Sequence, residues 1–197
     1  IVAPIPALHL HKISYSLQLL EQLYHHQVQY VLFGTLGAIA YGADLSTRDM
    51  DICFATDEIN RRHIAELLCT INARPTFTPG WNTVEACEAW KPEPATIENL
   101  DHEFTTPYGK LDIVPYPFGP NGKAERFDYE RLKQRASTLF PFDIPVDVAH
   151  IEDLIASKIS AQRPKDHAIY LELLRIQQQL QTGANLPGLE RFQEGIG

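Results

Sequence analysis

The sequence predicts an α+β domain, a small mixed β-sheet carrying acidic side chains and followed by C-terminal helices. Three observations lead there. Tyr30-Val31-Leu32-Phe33 is an apolar run that ends at Gly34-Thr35. Asp49-Met50-Asp51-Ile52-Cys53-Phe54 alternates, with carboxylates at i and i+2. From Ile151 onward the apolar residues fall at helical spacing.

Taken in order, residues 7 to 27 read as an amphipathic helix with Ile13, Leu17, Leu20, Leu23 and Tyr24 on one side. His25 and His26 close it, where a cation suits the helix dipole. Val28 to Phe33 is the first strand, Leu36 to Tyr41 a short helix, and Asp49 to Phe54 the second strand. Thr56-Asp57-Glu58 is a helix start, with Ile59, Leu67, Leu68 and Ile71 following on one face. Residues 75 to 94 change character: Pro75, Pro79-Gly80, Trp81, Trp90, Pro92 and Pro94 describe a loop-rich excursion. Its aromatics pack back on the sheet or line a pocket, and packing is the commoner fate of a tryptophan.

His102 to Thr106 and Lys110 to Pro115 flank Pro107-Tyr108-Gly109, a hairpin signal whose second arm carries Asp112 between apolar neighbours. Asp128 opens a helix through Tyr129, Leu132 and Ala136, and a second hairpin spans Ser137 to Val148. The stripe Leu154, Ile155, Ile159, Ala161 stops at Arg163-Pro164. The proline then begins a helix with Ile169, Leu173, Leu174 and Ile176. Residues 1–149 read as the core, 150–182 as a helical part of the same domain, and 183–197 as a peripheral tail.

Composition narrows the function classes. With 17 Lys+Arg against 25 Asp+Glu, the net charge of −8 disfavours a broad nucleic-acid footprint. Cys53, Cys69 and Cys87 lack metal-ligand spacing and read as buried reduced thiols. No apolar run reaches membrane length and no signal pattern opens the chain, so a soluble cytoplasmic protein is expected.

The chemistry rests on carboxylates. In a strand, Asp49 and Asp51 share one face about 6 to 7 Å apart, while Met50, Ile52 and Phe54 take the other. Two like charges about 5 Å apart repel by about 3 kcal/mol at an effective dielectric of about 20. A divalent cation, Mg²⁺ or Mn²⁺, is the commonest use of such crowding. Gly34 lets backbone approach a phosphate, the following helix start presents N–H groups, and Thr35 adds a hydroxyl. Together Asp49, Asp51, Asp112 and Gly34-Thr35 describe a nucleoside-triphosphate site. Asp112 serves there as third metal ligand or as proton acceptor.

Val31-Leu32-Phe33-Gly34-Thr35 and Thr47-Arg48-Asp49-Met50-Asp51 resemble the signature of the polymerase-β-like nucleotidyltransferase superfamily: a glycine-rich turn, a helix, then Asp-x-Asp. The run from Leu154 to Ala161 (Leu-Ile-Ala-Ser-Lys-Ile-Ser-Ala), followed by Arg163-Pro164-Lys165-Asp166, is similar to elements of the abortive-infection type, a group that includes toxin components of toxin–antitoxin pairs. The resemblance spans about residues 28 to 176, and Asp112 falls where the family places its third carboxylate.

The resemblance implies a nucleotidyltransferase fold with C-terminal helices packed over the active site. It implies Asp49, Asp51 and Asp112 as metal ligands, and a reaction that moves a nucleoside monophosphate from an NTP, ATP by default, with release of pyrophosphate. Lys158 would reach the triphosphate, Asp166 would orient Lys158 or cap its helix, and Arg163 and Lys165 would touch phosphate or stand exposed. The acceptor stays open among a small molecule, a protein hydroxyl and an RNA end, and the acidic balance leans toward a cationic small molecule. Two rivals remain: a catalytically silent nucleotidyltransferase-fold protein acting as a nucleotide-binding or regulatory partner in a two-protein, toxin–antitoxin-like system, and a metal-dependent phosphodiesterase. The latter usually recruits histidines, and His102, His150 and His167 show no partner pattern.

Overall fold

A computed structural model describes residues 7–97, 100–139, 144–161, 163–164 and 166–182. Helix α1 (Ala7–His25) runs into strand β1 (Tyr30–Phe33), and helix α2 (Gly34–Ala40) follows without a break. Strand β2 (Asp49–Phe54) leads to α3 (Glu58–Thr70) and the two-residue strand β3 (Arg74–Pro75). Short helices α4 (Val84–Ala89) and α5 (Pro94–Ile97) precede the hairpin of β4 (His102–Thr106) and β5 (Gly109–Ile113). Next come β6 (Phe118–Gly119), β7 (Gly122–Arg126), α6 (Tyr129–Arg135), β8 (Ser137–Leu139) and β9 (Val146–Val148). Helices α7 (Ile151–Ala161) and α8 (Asp166–Thr182) end the described chain. The tail 183–197 lies outside the described residues.

Among the described residues one sheet has the order β3-β4-β5-β2-β1-β9-β8. Strand β2 is antiparallel to β1 and parallel to β5, and β1 is parallel to β9, so the sheet is mixed. A separate hairpin, β6 with β7, was not foreseen from the sequence. Its residues Pro117 to Arg126 lack the β-branched alternation that marks a strand.

Alternation along the strands sorts the two faces. Met50, Ile52, Phe54, Phe104, Leu111 and Ile113 are fully buried and join one core with Ile64, Leu67 and Leu68 of α3 and Ile97 of α5. Asp57 caps α3, accepting from the Asn60 backbone at 3.0 Å, and Asp128 caps α6 through the Arg131 backbone at 2.8 Å. The first strand begins at Tyr30 rather than Val28, because Val28 still donates to Leu23 O (3.0 Å) to close α1.

On the other side α7 and α8 pack on each other and on α2. A Cβ at Gly37 would lie 3.2 Å from Leu154, so glycine permits that close approach of α2 to α7.

Several apolar expectations need correction. Tyr24, Ile59 and Ile159 are exposed, each just outside the arc of its helix that meets the core. Cys53 and Cys87 are buried, but Cys69 is exposed on the outer side of α3. The 75–94 excursion holds a short strand and a helix, α4. Trp90 packs on Phe104 with ring centroids 5.1 Å apart, whereas Trp81 stands 87% exposed on a turn. No helix among the described residues is long and apolar enough to cross a membrane.

Candidate active site

The three aspartates meet because of register. Asp51 of β2 is the partner of Phe33 on β1 and of Asp112 on β5, and Asp49 is the partner of Lys110. Neighbouring strands lie about 4.8 Å apart, and register partners project from the same face. Asp49, Asp51 and Asp112 therefore share the face opposite the Met50–Ile52–Phe54 core, and all three are half-buried. Gly109 (φ +108) helps seat β5: a Cβ there would lie 2.8 Å from Arg48 O, which accepts from the Lys110 backbone at 3.1 Å.

Gly34 places α2 against this face. Its φ is +67, and a Cβ would stand 1.9 Å from Asp51 Oδ2. The glycine predicted to admit a phosphate thus first admits a carboxylate of its own chain. Thr35 is half-buried in the first turn of α2.

Burial, then the negative charges of Asp51, Asp101, Glu103 and Asp49, push the Asp112 carboxyl up to about 7. Lys110 stands nearby as a cation. Its Nζ donates to Glu103 Oε1 at 2.6 Å, and that bond together with the fields of Asp49 and Asp112 raises the lysine above its usual value.

A second charged group comes from the C-terminal helices. Asp166, buried in the first turn of α8, accepts from Lys158 Nζ at 2.9 Å, from Arg163 Nε at 2.6 Å and from Arg163 Nη2 at 3.2 Å. Lys158 is buried as well, only 8% exposed, so it is no ordinary surface lysine. Burial alone would raise the Asp166 carboxyl, but the bonds from Arg163 and Lys158 hold it below the usual range. Arg163 is held charged by its bonds to Asp166, and it also feels Asp51 and Asp112. The carboxylate strands and the C-terminal cations therefore belong to one electrostatic neighbourhood. Lys165 lies outside the described residues.

Whether the residues fit a divalent ion is a question of donor chemistry. Among the described residues no three His, Cys, Asp or Glu side chains converge into a ready metal cage. Mg²⁺ does not ask for one. It takes one or two carboxylates and completes its shell with water and substrate phosphates. The in-register pair Asp51 and Asp112, with Asp49 two residues from Asp51 on the same face, fits that kind of site.

Sequence reading missed Lys110 and Glu103. Lys110 precedes Asp112 by two, which is the signal for one strand face, but only the pairing of β4 with β5 sets Glu103 opposite Asp112.

No family model matches the chain, and no curated protein matches it. Solved structures do. The lincomycin-bound lincosamide antibiotic adenylyltransferase LnuA shares 18% identity at a TM-score of 0.55, covering 83% of this chain and 96% of its own. The antibiotic-resistance factor ANT(2'')-Ia, in complex with adenylyl-2''-tobramycin, shares 10% identity at a TM-score of 0.51, covering 89% and 99%. Its solution structure gives 10% identity, a TM-score of 0.50 and coverages of 88% and 92%. Neither the abortive-infection type nor an antitoxin-like partner is carried by these likenesses. What they do carry is the architecture: the chain has the mixed α+β fold of nucleotidyltransferases.

Proposed function

We propose that the chain is a metal-dependent nucleotidyltransferase that transfers a nucleoside monophosphate from an NTP, ATP in the first instance, to a small-molecule acceptor and releases pyrophosphate. The observation that supports it most is the register pairing of Asp51 with Asp112, both of them felt by Arg163 in the link between α7 and α8. The lincosamide antibiotic adenylyltransferase and the complex of ANT(2'')-Ia with adenylyl-2''-tobramycin, which share the fold, favour AMP as the group moved and a small molecule as its acceptor.

Asp49 and Asp51 would hold Mg²⁺ or Mn²⁺. When bound, the ion offsets phosphate charge and polarises the phosphoryl oxygens. Gly34 and Thr35 bound the phosphate side with backbone N–H and a hydroxyl. Lys158 and Arg163, clamped on Asp166, balance the charge that leaves with pyrophosphate. Asp112 takes the proton of the acceptor hydroxyl at a carboxylate oxygen. Catalysis is then mostly positioning and charge neutralisation.

The test is transfer of label. With Mg²⁺, α-labelled ATP and a panel of aminoglycoside, lincosamide and simpler amino-polyol acceptors, label should move from ATP to acceptor, and γ label should leave as pyrophosphate. Absence of α-label transfer to small molecules, alongside transfer to a protein or RNA from a cell extract, would reassign the acceptor. Nucleotide binding with no transfer to anything would favour the catalytically silent reading.

A further inference from the structure

Lys110 is a cation on the carboxylate face that the proposed chemistry does not use. Its Cα is the register partner of Asp49, one strand spacing of about 4.8 Å away, and Asp112 follows two residues along the same strand. All three side chains therefore leave the sheet on one side, within the span of a lysine chain. An ammonium free to choose would settle among the carboxylates, where the attraction is greatest. The structure holds it elsewhere. Nζ sits 2.6 Å from Oε1 of Glu103 on β4, the strand on the far side of β5 from β2. Glu103 is itself the register partner of Asp112, so it draws the ammonium across β5 and away from Asp51.

We infer that Glu103 is a positioning residue: by holding Lys110 on the β4 side it keeps the ammonium out of the cleft between Asp49, Asp51 and Asp112 and leaves that cleft to a divalent cation. The inference rests on the reading of those carboxylates as cation ligands. Lysine and metal compete for the same negative charge, and a released Lys110, tethered to β5, is a competitor at high effective concentration. The field of Asp49 and Asp112 already reaches Lys110 where it stands. The pair is partly exposed (46% for Lys110, 31% for Glu103), so as an ion pair it contributes little to the fold and can be altered without unfolding the chain.

A double-mutant cycle read by Mn²⁺ binding, without nucleotide, tests this. Free Mn²⁺ is followed by its electron paramagnetic resonance signal during titration of wild type, Glu103→Gln, Lys110→Met and the double variant, each first checked for an unchanged circular dichroism spectrum. Glu103→Gln should weaken Mn²⁺ binding about fivefold and Lys110→Met should tighten it by a similar factor. Glu103→Gln placed on Lys110→Met should leave the dissociation constant within about twofold of the Lys110→Met protein. An equal loss from Glu103→Gln in both backgrounds means that Glu103 acts only through its own charge, and overturns the inference. Binding by Glu103→Gln indistinguishable from wild type overturns it too. A wild type that takes up no Mn²⁺ removes the cation reading itself and the inference with it, a failure told apart from the others by the wild-type titration alone.

Discussion

Gly34 leaves room for the carboxylate of Asp51: a Cβ at position 34 would stand 1.9 Å from Oδ2 and 2.6 Å from Cγ. The backbone there has φ +67, which L side chains seldom adopt. Helix α2 can start directly on the end of β1 and still abut the acid of β2 only because this residue has no side chain. Gly34→Ala is therefore expected to destabilise the fold by about 1 to 3 kcal/mol and to displace Asp51. Chemical denaturation gives the first quantity and Mn²⁺ affinity reports the second. Unchanged values for both would mean that the turn relaxes freely.

Metal binding should appear as stability. Mg²⁺ or Mn²⁺ at 100 times its dissociation constant is expected to stabilise the protein by about 2.7 kcal/mol. Asp51→Asn should remove the response while leaving the metal-free protein as stable or slightly more so, since one of the crowded charges is gone. A melting temperature indifferent to saturating divalent ion and nucleotide counts against the site.

Asp112 makes the metal-free protein sensitive to pH, with a definite sign. Its carboxyl titrates near 7 in the fold, because of burial and the neighbouring acids, and near 4 when unfolded. Between those values the folded state holds a proton that the unfolded state has lost, so stability is full below about 4 and declines as pH rises toward 7. Asp112→Asn should flatten this decline. The same variant should still bind Mg²⁺–nucleotide through Asp49 and Asp51, yet transfer at least about 100-fold more slowly. Melting curves from pH 4 to 8 and a paired binding and transfer assay check the two statements.

Asp166 sits between two cations, and the order of damage follows. Asp166→Asn strands the Lys158 ammonium in a buried place with a neutral partner and is expected to cost about 3 kcal/mol. Lys158→Met removes the buried charge itself and leaves Asp166 its bonds to Arg163, so it should cost clearly less. For nucleotide affinity the lysine variant should suffer directly, and arginine should rescue it only in part. A denaturation series showing the reverse order would place the weight of the cluster on Lys158 alone.

Thr35 should tolerate serine and not valine. Valine keeps the volume of threonine but removes the hydroxyl, so nucleotide affinity is expected to drop by about 1 to 3 kcal/mol. Equal nucleotide binding by wild type and Thr35→Val, measured by calorimetry, would leave the residue a packing role.

What the amino-acid order determined by itself is local. The alternation of Asp49 to Phe54 put two acids on one face and a core on the other, because successive strand residues point to opposite sides. Asp57 and Asp128 marked helix starts, since a short acid there accepts one of the N–H groups that the first turn leaves without a partner. Gly34-Thr35, Asp112, Lys158 and Asp166 could be picked out as chemistry-bearing residues, by residue type, spacing and a family likeness. The tertiary structure decided which of them meet. Asp51 faces Asp112 through a parallel pairing across a chain gap that no local signal spans, and Lys158 is buried on Asp166 because α7 and α8 fold against each other. Burial of Asn60, which ties α3 to the start of β1 through Gln29 at 2.7 and 2.9 Å, and exposure of Trp81 were likewise settled by packing. Side-chain polarity predicts neither, because burial depends on what the remote parts of the chain bring alongside.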